Sequence, residues 1–133
     1  MKVLFLFTAL SLGLSIQAQV NDKITTIEFV EVVNNNKEEA LFYFRNNWKA
    51  LRDKAITKNY IHSYQLLETP KSDEAPFQIL LITTYLNKTQ YDQRENHFQE
   101  LIKEKGDLKL LNNKKPKEFR KSLFSKDMVR HWN

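Results

Sequence analysis

The chain has no cysteine, and only two glycines and three prolines among 133 residues. Without Cys no disulfide staples the domain, and a lipid anchor through an N-terminal cysteine is excluded. Gly13 lies in the apolar leader, which leaves Gly106 as the single glycine of the remainder. That scarcity excludes a glycine-rich phosphate loop and predicts that Asn takes over left-handed turn positions. The three histidines, His62, His97 and His131, are more than ten positions apart, so zinc spacings such as His-x-x-x-His are missing. No metal site and no cofactor is expected. Ser63 beside His62 is not a nucleophile–base pair, because consecutive strand residues face opposite ways.

What is present begins with Met1-Lys2, an uncharged run from Val3 and a small-residue region ending Ile16-Gln17-Ala18. One early positive charge, a short apolar stretch and a small residue before the break describe a secretory signal peptide. The run is shorter than the ~20 residues of a spanning helix. Cleavage is expected after Ala18, leaving residues 19–133 as one domain without a membrane span. The leader resembles those of Bacteroidota, which implies a periplasmic or secreted protein.

The formal net charge of +5 is unevenly placed. Residues 19–106 carry 12 basic and 13 acidic side chains, whereas residues 107–133 carry 8 and 3. A basic patch of this kind attracts anionic surfaces. No aromatic-basic interleaving or reader motif accompanies it, so no nucleic-acid partner is expected.

Residues 24–33 alternate as a first strand, with Thr26, Glu28, Val30 and Val32 on one face and Ile27, Phe29 and Glu31 on the other. Glu28 and Glu31 therefore do not form a carboxylate pair. Asn34-Asn35-Asn36 is a turn. In the following helix, Leu41, Phe44, Trp48, Leu51 and Ala55 recur in steps of three and four, a stripe that needs the face of a sheet. Asn59 is the expected left-handed cap of that helix.

Residues 60–68 read as the second strand, with His62, Tyr64 and Leu66 on one face. The polar segment 69–76, with Pro70 and Pro76, is a loop. Residues 77–86 are nearly continuous in apolar and β-branched residues, the pattern of a central strand buried on both faces. Thr89 or Asp92 is expected to cap a second helix ending at Gly106, with His97 facing solvent. Pro116, Phe119, Leu123 and Phe124 suggest a short amphipathic helix. Residues 126–132 read as a fourth strand. The order is the ferredoxin-like β-α-β-β-α-β, an α+β fold with both helices on one face of a four-stranded antiparallel sheet.

Three stretches carry a family resemblance: Trp48-Lys49-Ala50-Leu51-Arg52-Asp53-Lys54-Ala55-Ile56, Ile61-His62-Ser63-Tyr64-Gln65-Leu66-Leu67 and the closing Met128-Val129-Arg130-His131-Trp132. Together they resemble small exported Bacteroidota proteins of the dimeric α/β-barrel superfamily. The resemblance implies a homodimer with two sheets packed face to face, and a small ligand held between helices and sheet or inside the barrel. Candidate ligand-binding residues on this reading are Trp48, His62, Tyr64 and Tyr85. No catalytic residue is assigned. The leading expectation is an exported ligand-binding domain. The alternatives are a cofactor-independent monooxygenase-like enzyme using His62 as base, and an envelope interaction module using the basic C-terminal segment.

Overall fold

Strand β1 (Ile24–Val32) is the spine of the sheet, because its alternation gives both neighbours a full edge. It pairs antiparallel with β3 (Ile79–Tyr85) on one side and with β4 (Arg120–Arg130) on the other. Strand β2 (Ser63–Glu68) pairs with β3 and completes the order β2-β3-β1-β4, antiparallel throughout. The computed structural model describes residues 21–133, so the leader and its cleavage after Ala18 lie outside the described residues. With helices following β1 and β3, the arrangement is the ferredoxin-like one expected from the sequence.

The first helical layer is three pieces of one rod. Helix α1 (Lys37–Tyr43) runs into a π-helical segment, Phe44–Trp48, and then into α2 (Lys49–Thr57). In the wide turn the Lys49 N–H donates to the Phe44 carbonyl, five residues back. The amides of Asn46 and Asn47 donate to the carbonyls of Phe42 and Tyr43 at 2.8 and 2.9 Å, bonding carbonyls around the wide turn. The second layer is α3 (Lys88–Asp92) and α4 (Arg94–Lys105), and α5 (Pro116–Phe119) leads into β4.

Both layers cover the same face of the sheet. Ala55 of α2 and Leu101 of α4 share one apolar cluster with Ile24 and Tyr85. Ala40 and Phe44 share another with Val30, Val32, Ile79, Leu81 and Phe119. Between the clusters the same sheet face is polar, carrying Thr26, Glu28 and Thr83.

Several expectations are corrected. Leu123 and Phe124 are not helical: after the single turn Pro116–Phe119 the chain is extended over Arg120–Arg130, a longer fourth strand than residues 126–132. Strand pairing with β1 supplies the backbone hydrogen bonds that a short, isolated helix would lack. The helix ending at Gly106 is capped by neither Thr89 nor Asp92: α4 starts after Gln93 without a side-chain cap, and the short α3 before it is capped by Asn87, whose side chain accepts from the Gln90 N–H at 2.9 Å. Strand β3 is fully buried only on its helix-facing side; on the other side Thr84 is buried but Leu80 and Ile82 are half-buried. His97 is half-buried and not turned out to solvent as expected. Its ring stacks on Tyr60 with centroids 3.6 Å apart.

Asparagine does replace glycine in the turns. Asn34, Asn35, Asn59, Asn112 and Asn113 all have φ between 53° and 57°, beside Gly106 at 77°. The short polar side chain tolerates that region and bonds locally. Asn47 holds the connection from α4 to α5: its amide donates to the Lys109 carbonyl at 2.8 Å, and its Oδ1 accepts from the Lys109 N–H and the Lys105 ammonium.

Where the end of α2 meets α4, the Lys58 ammonium donates to Glu100 and Glu104 at 2.7 and 3.0 Å. The hydrogen bond from Lys58 holds the Glu100 carboxyl below its ordinary range, helped by the Tyr60 hydroxyl. Glu39 and Glu31 are lowered as well, chiefly by hydrogen bonds from Asn112 and Lys71. A carboxylate lowered in the fold stabilises it above the unfolded pKa, and the contribution disappears as pH falls through the folded value. The expected urea midpoint is flat from pH 8 to about 5 and falls below about pH 4. An acid-independent midpoint would show that these carboxylates are no better placed than in the unfolded chain.

Candidate functional site

The polar waist of the sheet floors a cavity of about 280 Å³. Thr26 and Glu28 of β1 and Thr83 and Tyr85 of β3 reach it because alternate residues of paired strands share a face. On β4, Ser122 and Ser125 both line it although three positions apart. The register shift between Phe29 and Val30 inserts Leu123 as an extra residue and turns both serines the same way. A second shift, with Met128 at φ 54°, accompanies Asp127 at the rim.

Arg52 enters from α2, one helical turn after Trp48 on the same stripe. Its guanidinium lies between two aromatic rings, 4.4 Å from the Trp48 centroid and 4.2 Å from that of Phe98. Nε donates to the buried Thr83 hydroxyl at 3.3 Å. Among the described residues no carboxylate forms an ion pair with this group. Burial pushes its pKa down to about 10, against the opposing fields of Tyr85 and Glu28, so it is a cation at neutral pH. Burial likewise raises the Tyr85 hydroxyl, opposed by the Arg52 and Arg94 charges.

A second cavity of about 230 Å³ adjoins the first and shares Glu28, Trp48 and Leu81 with it. Its other walls are mainly apolar and include Tyr43, Phe44, Leu51, Ile102 and Leu108.

The four candidate residues do not converge on one point. Trp48 and Tyr85 both line the polar cavity. Tyr64 lies beside Trp48, edge to face at 5.6 Å, but its hydroxyl donates to Asp53 at 2.6 Å, on the outer side of α2. His62 precedes β2 and is exposed; its N–H donates to the Thr84 carbonyl and its ring lines neither cavity. Arg52, Thr83 and the β4 serines were not singled out in the sequence. Arg52 had a legible signal, a charge four positions after Trp48 beside the apolar stripe. The serines had none, because their shared direction depends on a bulge.

The opposite sheet face carries Ile27, Phe29, Leu80, Ile82 and Phe124. Phe29 stacks on Phe124 at 4.5 Å and meets Phe77 edge-on at 4.9 Å. Thr25, Thr84 and His131 form a hydrogen-bonded chain at one end, next to Trp132, which is 96% exposed. Among the described residues no helix is long and apolar enough to cross a membrane, and no His/Asp/Glu cluster has metal-binding geometry.

No protein-family model matches the chain, and no curated protein matches it in sequence. Among solved structures, HapK from Hahella chejuensis superposes with a TM-score of 0.51 at 10% identity, over 83% of this chain and 94% of that one. The shared fold is ferredoxin-like. An uncharacterized NIPSNAP-like domain protein from Burkholderia xenovorans gives a TM-score of 0.47 at 11% identity, over 84% of this chain and 88% of its own. At such identities the likeness concerns the fold, and the site has to be read from this chain's own residues.

Proposed function

We propose that this protein is an exported, homodimeric domain that binds a small molecule in the cleft between α2 and the sheet. One observation carries the binding reading. The helix-covered face is apolar at both ends, yet polar and hollow at its waist, where an arginine held between two rings has hydrogen-bonding capacity left over. A domain selected only for packing fills such a position with apolar side chains. Trp48 forms the wall, Arg52 the charged contact, and Tyr85 with the neighbouring hydroxyls the polar floor. An enzyme reading that uses His62 as base has less support, since that ring lies outside the cleft.

The dimer reading is supported by the uncovered face. A four-stranded sheet with helices on one side leaves the other side open, and here it presents half-buried Phe29 and exposed Phe124. A second copy packed sheet to sheet covers it in the manner the family resemblance implies. The basic C-terminal segment has structural duties that weaken a separate envelope role: Lys114 donates to Asn36, and Arg120 lies over Tyr43.

The experiment is native mass spectrometry of the protein purified from the envelope fraction, with N-terminal sequencing. The expected species is a dimer of chains beginning at Gln19 that carries a non-covalent small-molecule adduct. A bare chain starting at Met1 would contradict export, and loss of the adduct reading requires only a ligand-free spectrum from freshly prepared material.

A further inference from the structure

The proposed cleft has two unlike halves, and their difference specifies the chemistry of what fits. Either cavity alone is smaller than the roughly 300 Å³ at which ligand sites begin, whereas the two, which share the Trp48 wall, together fall within the usual range. A ligand filling both needs a polar end and an apolar body.

The polar end is defined by Arg52. A guanidinium carries five N–H donors in one plane, and that of Arg52 lies over the faces of both the Trp48 and Phe98 rings, at 4.4 and 4.2 Å from their centroids. Among the described residues only Nε has a partner, Thr83. The remaining donors are directed in the plane, the geometry in which a carboxylate accepts two parallel hydrogen bonds. Arg94 adds a second positive charge to the lining. Glu28 and Asp127 in the same wall disfavour a doubly charged group such as a phosphate, by repulsion in a partly desolvated site. Glu28 is engaged locally, accepting from the Ser122 hydroxyl at 2.8 Å.

The apolar end begins at the far side of Trp48, against Leu51. It is rimmed by Ile102 and Leu108, which are 54% and 52% exposed, while the two cations of its lining are held by the protein itself, Lys105 by Asn47 and Arg120 over the Tyr43 ring. Two large aliphatic side chains at the mouth of an apolar cavity are the arrangement that a hydrocarbon or aryl group would cover.

Resting on the cleft reading above, we infer that the ligand is an amphipathic monocarboxylate, either a medium-chain or an aryl-substituted acid. Its carboxylate lies edge-on to Arg52, and its apolar body passes Trp48 to lie against Leu51, Ile102 and Leu108.

Isothermal titration calorimetry of the purified protein with octanoate, 4-phenylbutanoate, 1-octanol, acetate and octyl phosphate tests this. Octanoate or 4-phenylbutanoate is expected to bind at least tenfold more tightly than octanol, acetate or octyl phosphate. Arg52→Gln should weaken the acid at least tenfold while leaving octanol unchanged, and Arg52→Lys should restore part of the loss. Leu108→Asp, at an exposed position where folding is not at issue, should also weaken the acid about tenfold. Octanol binding as tightly as octanoate, or an acid indifferent to both substitutions, overturns the carboxylate assignment and keeps the cleft. Tighter binding of octyl phosphate overturns the single charge. No heat from any probe overturns the amphipathic-acid assignment, and an adduct of other chemistry in the native mass spectrum would then show that the cleft reading survives it.

Discussion

Replacing Asn47 with alanine is expected to destabilise the domain by about 3 kcal/mol and lower its Tm by roughly 10–20 °C. The side chain is 3% exposed and completes four hydrogen bonds. Two go out, to the carbonyls of Tyr43 and Lys109, and two come in, from the Lys109 N–H and the Lys105 ammonium. Alanine removes all four hydrogen bonds at a position that is itself buried, each contributing about 0.5–1.5 kcal/mol. The loss also releases the segment carrying Leu108 from the helix that carries Trp48, so the apolar half of the cleft loosens with it. Neighbouring Asn46 makes one hydrogen bond, to the Phe42 carbonyl, and its alanine variant should cost under about 1 kcal/mol. Thermal and urea unfolding of the two variants side by side checks the contrast. Equal stabilities would show that the clamp contributes nothing beyond an ordinary helical position.

Introducing a charge at Phe124 is expected to turn the proposed dimer into a monomer. Phe124 stacks on Phe29, the middle ring of the aromatic group on the uncovered face, and is the most exposed large apolar side chain of that group. It is 48% exposed, so Phe124→Asp is tolerated within one chain. Between two sheets, however, the carboxylate would be buried without a partner, at a cost of several kcal/mol. Dimer dissociation constants should rise at least a hundredfold. Trp132→Ala, at the exposed end of the same face, should weaken association less, by the loss of one large anchor. Analytical ultracentrifugation over a range of concentrations reads both effects. A wild-type chain that sediments as a monomer at the highest concentration would contradict the dimer, and an unaltered Phe124→Asp dimer would place the interface elsewhere.

The element order, the shared helix face and the turn asparagines were legible because each is written in local periodicity or local backbone chemistry. The stripe from Leu41 to Ala55 and the alternation of β1 need no knowledge of the rest of the chain. The π-helical turn was not legible, since it leaves the apolar stripe intact and shows itself only in which carbonyl the Lys49 N–H reaches. Leu123 and Phe124 misled for a related reason. Four apolar or capping residues at helical spacing suit a short amphipathic helix, but the edge of β1 offered more hydrogen bonds than such a helix could make.

The candidate site was half legible. Trp48 and Tyr85 lie on faces that periodicity assigns to the core, and both line the cavity. His62 has the chemistry of a base, but its position just before β2 leaves it outside the cavity. The informative residues were the misfits. Glu28 shares a face with Val30 and Val32, and Arg52 follows Trp48 by one turn. Each is a charge on a surface that otherwise packs, and the two line the same cavity.

Amide chemical-shift mapping with a small-molecule fragment library tests the central claim most directly, because it locates binding without assuming the ligand. The account predicts that the responding amides cluster around Trp48, Arg52, Thr83 and Tyr85. Shifts confined to Phe29, Ile82 and Phe124 on the opposite face, or none at the waist with any fragment, would contradict it.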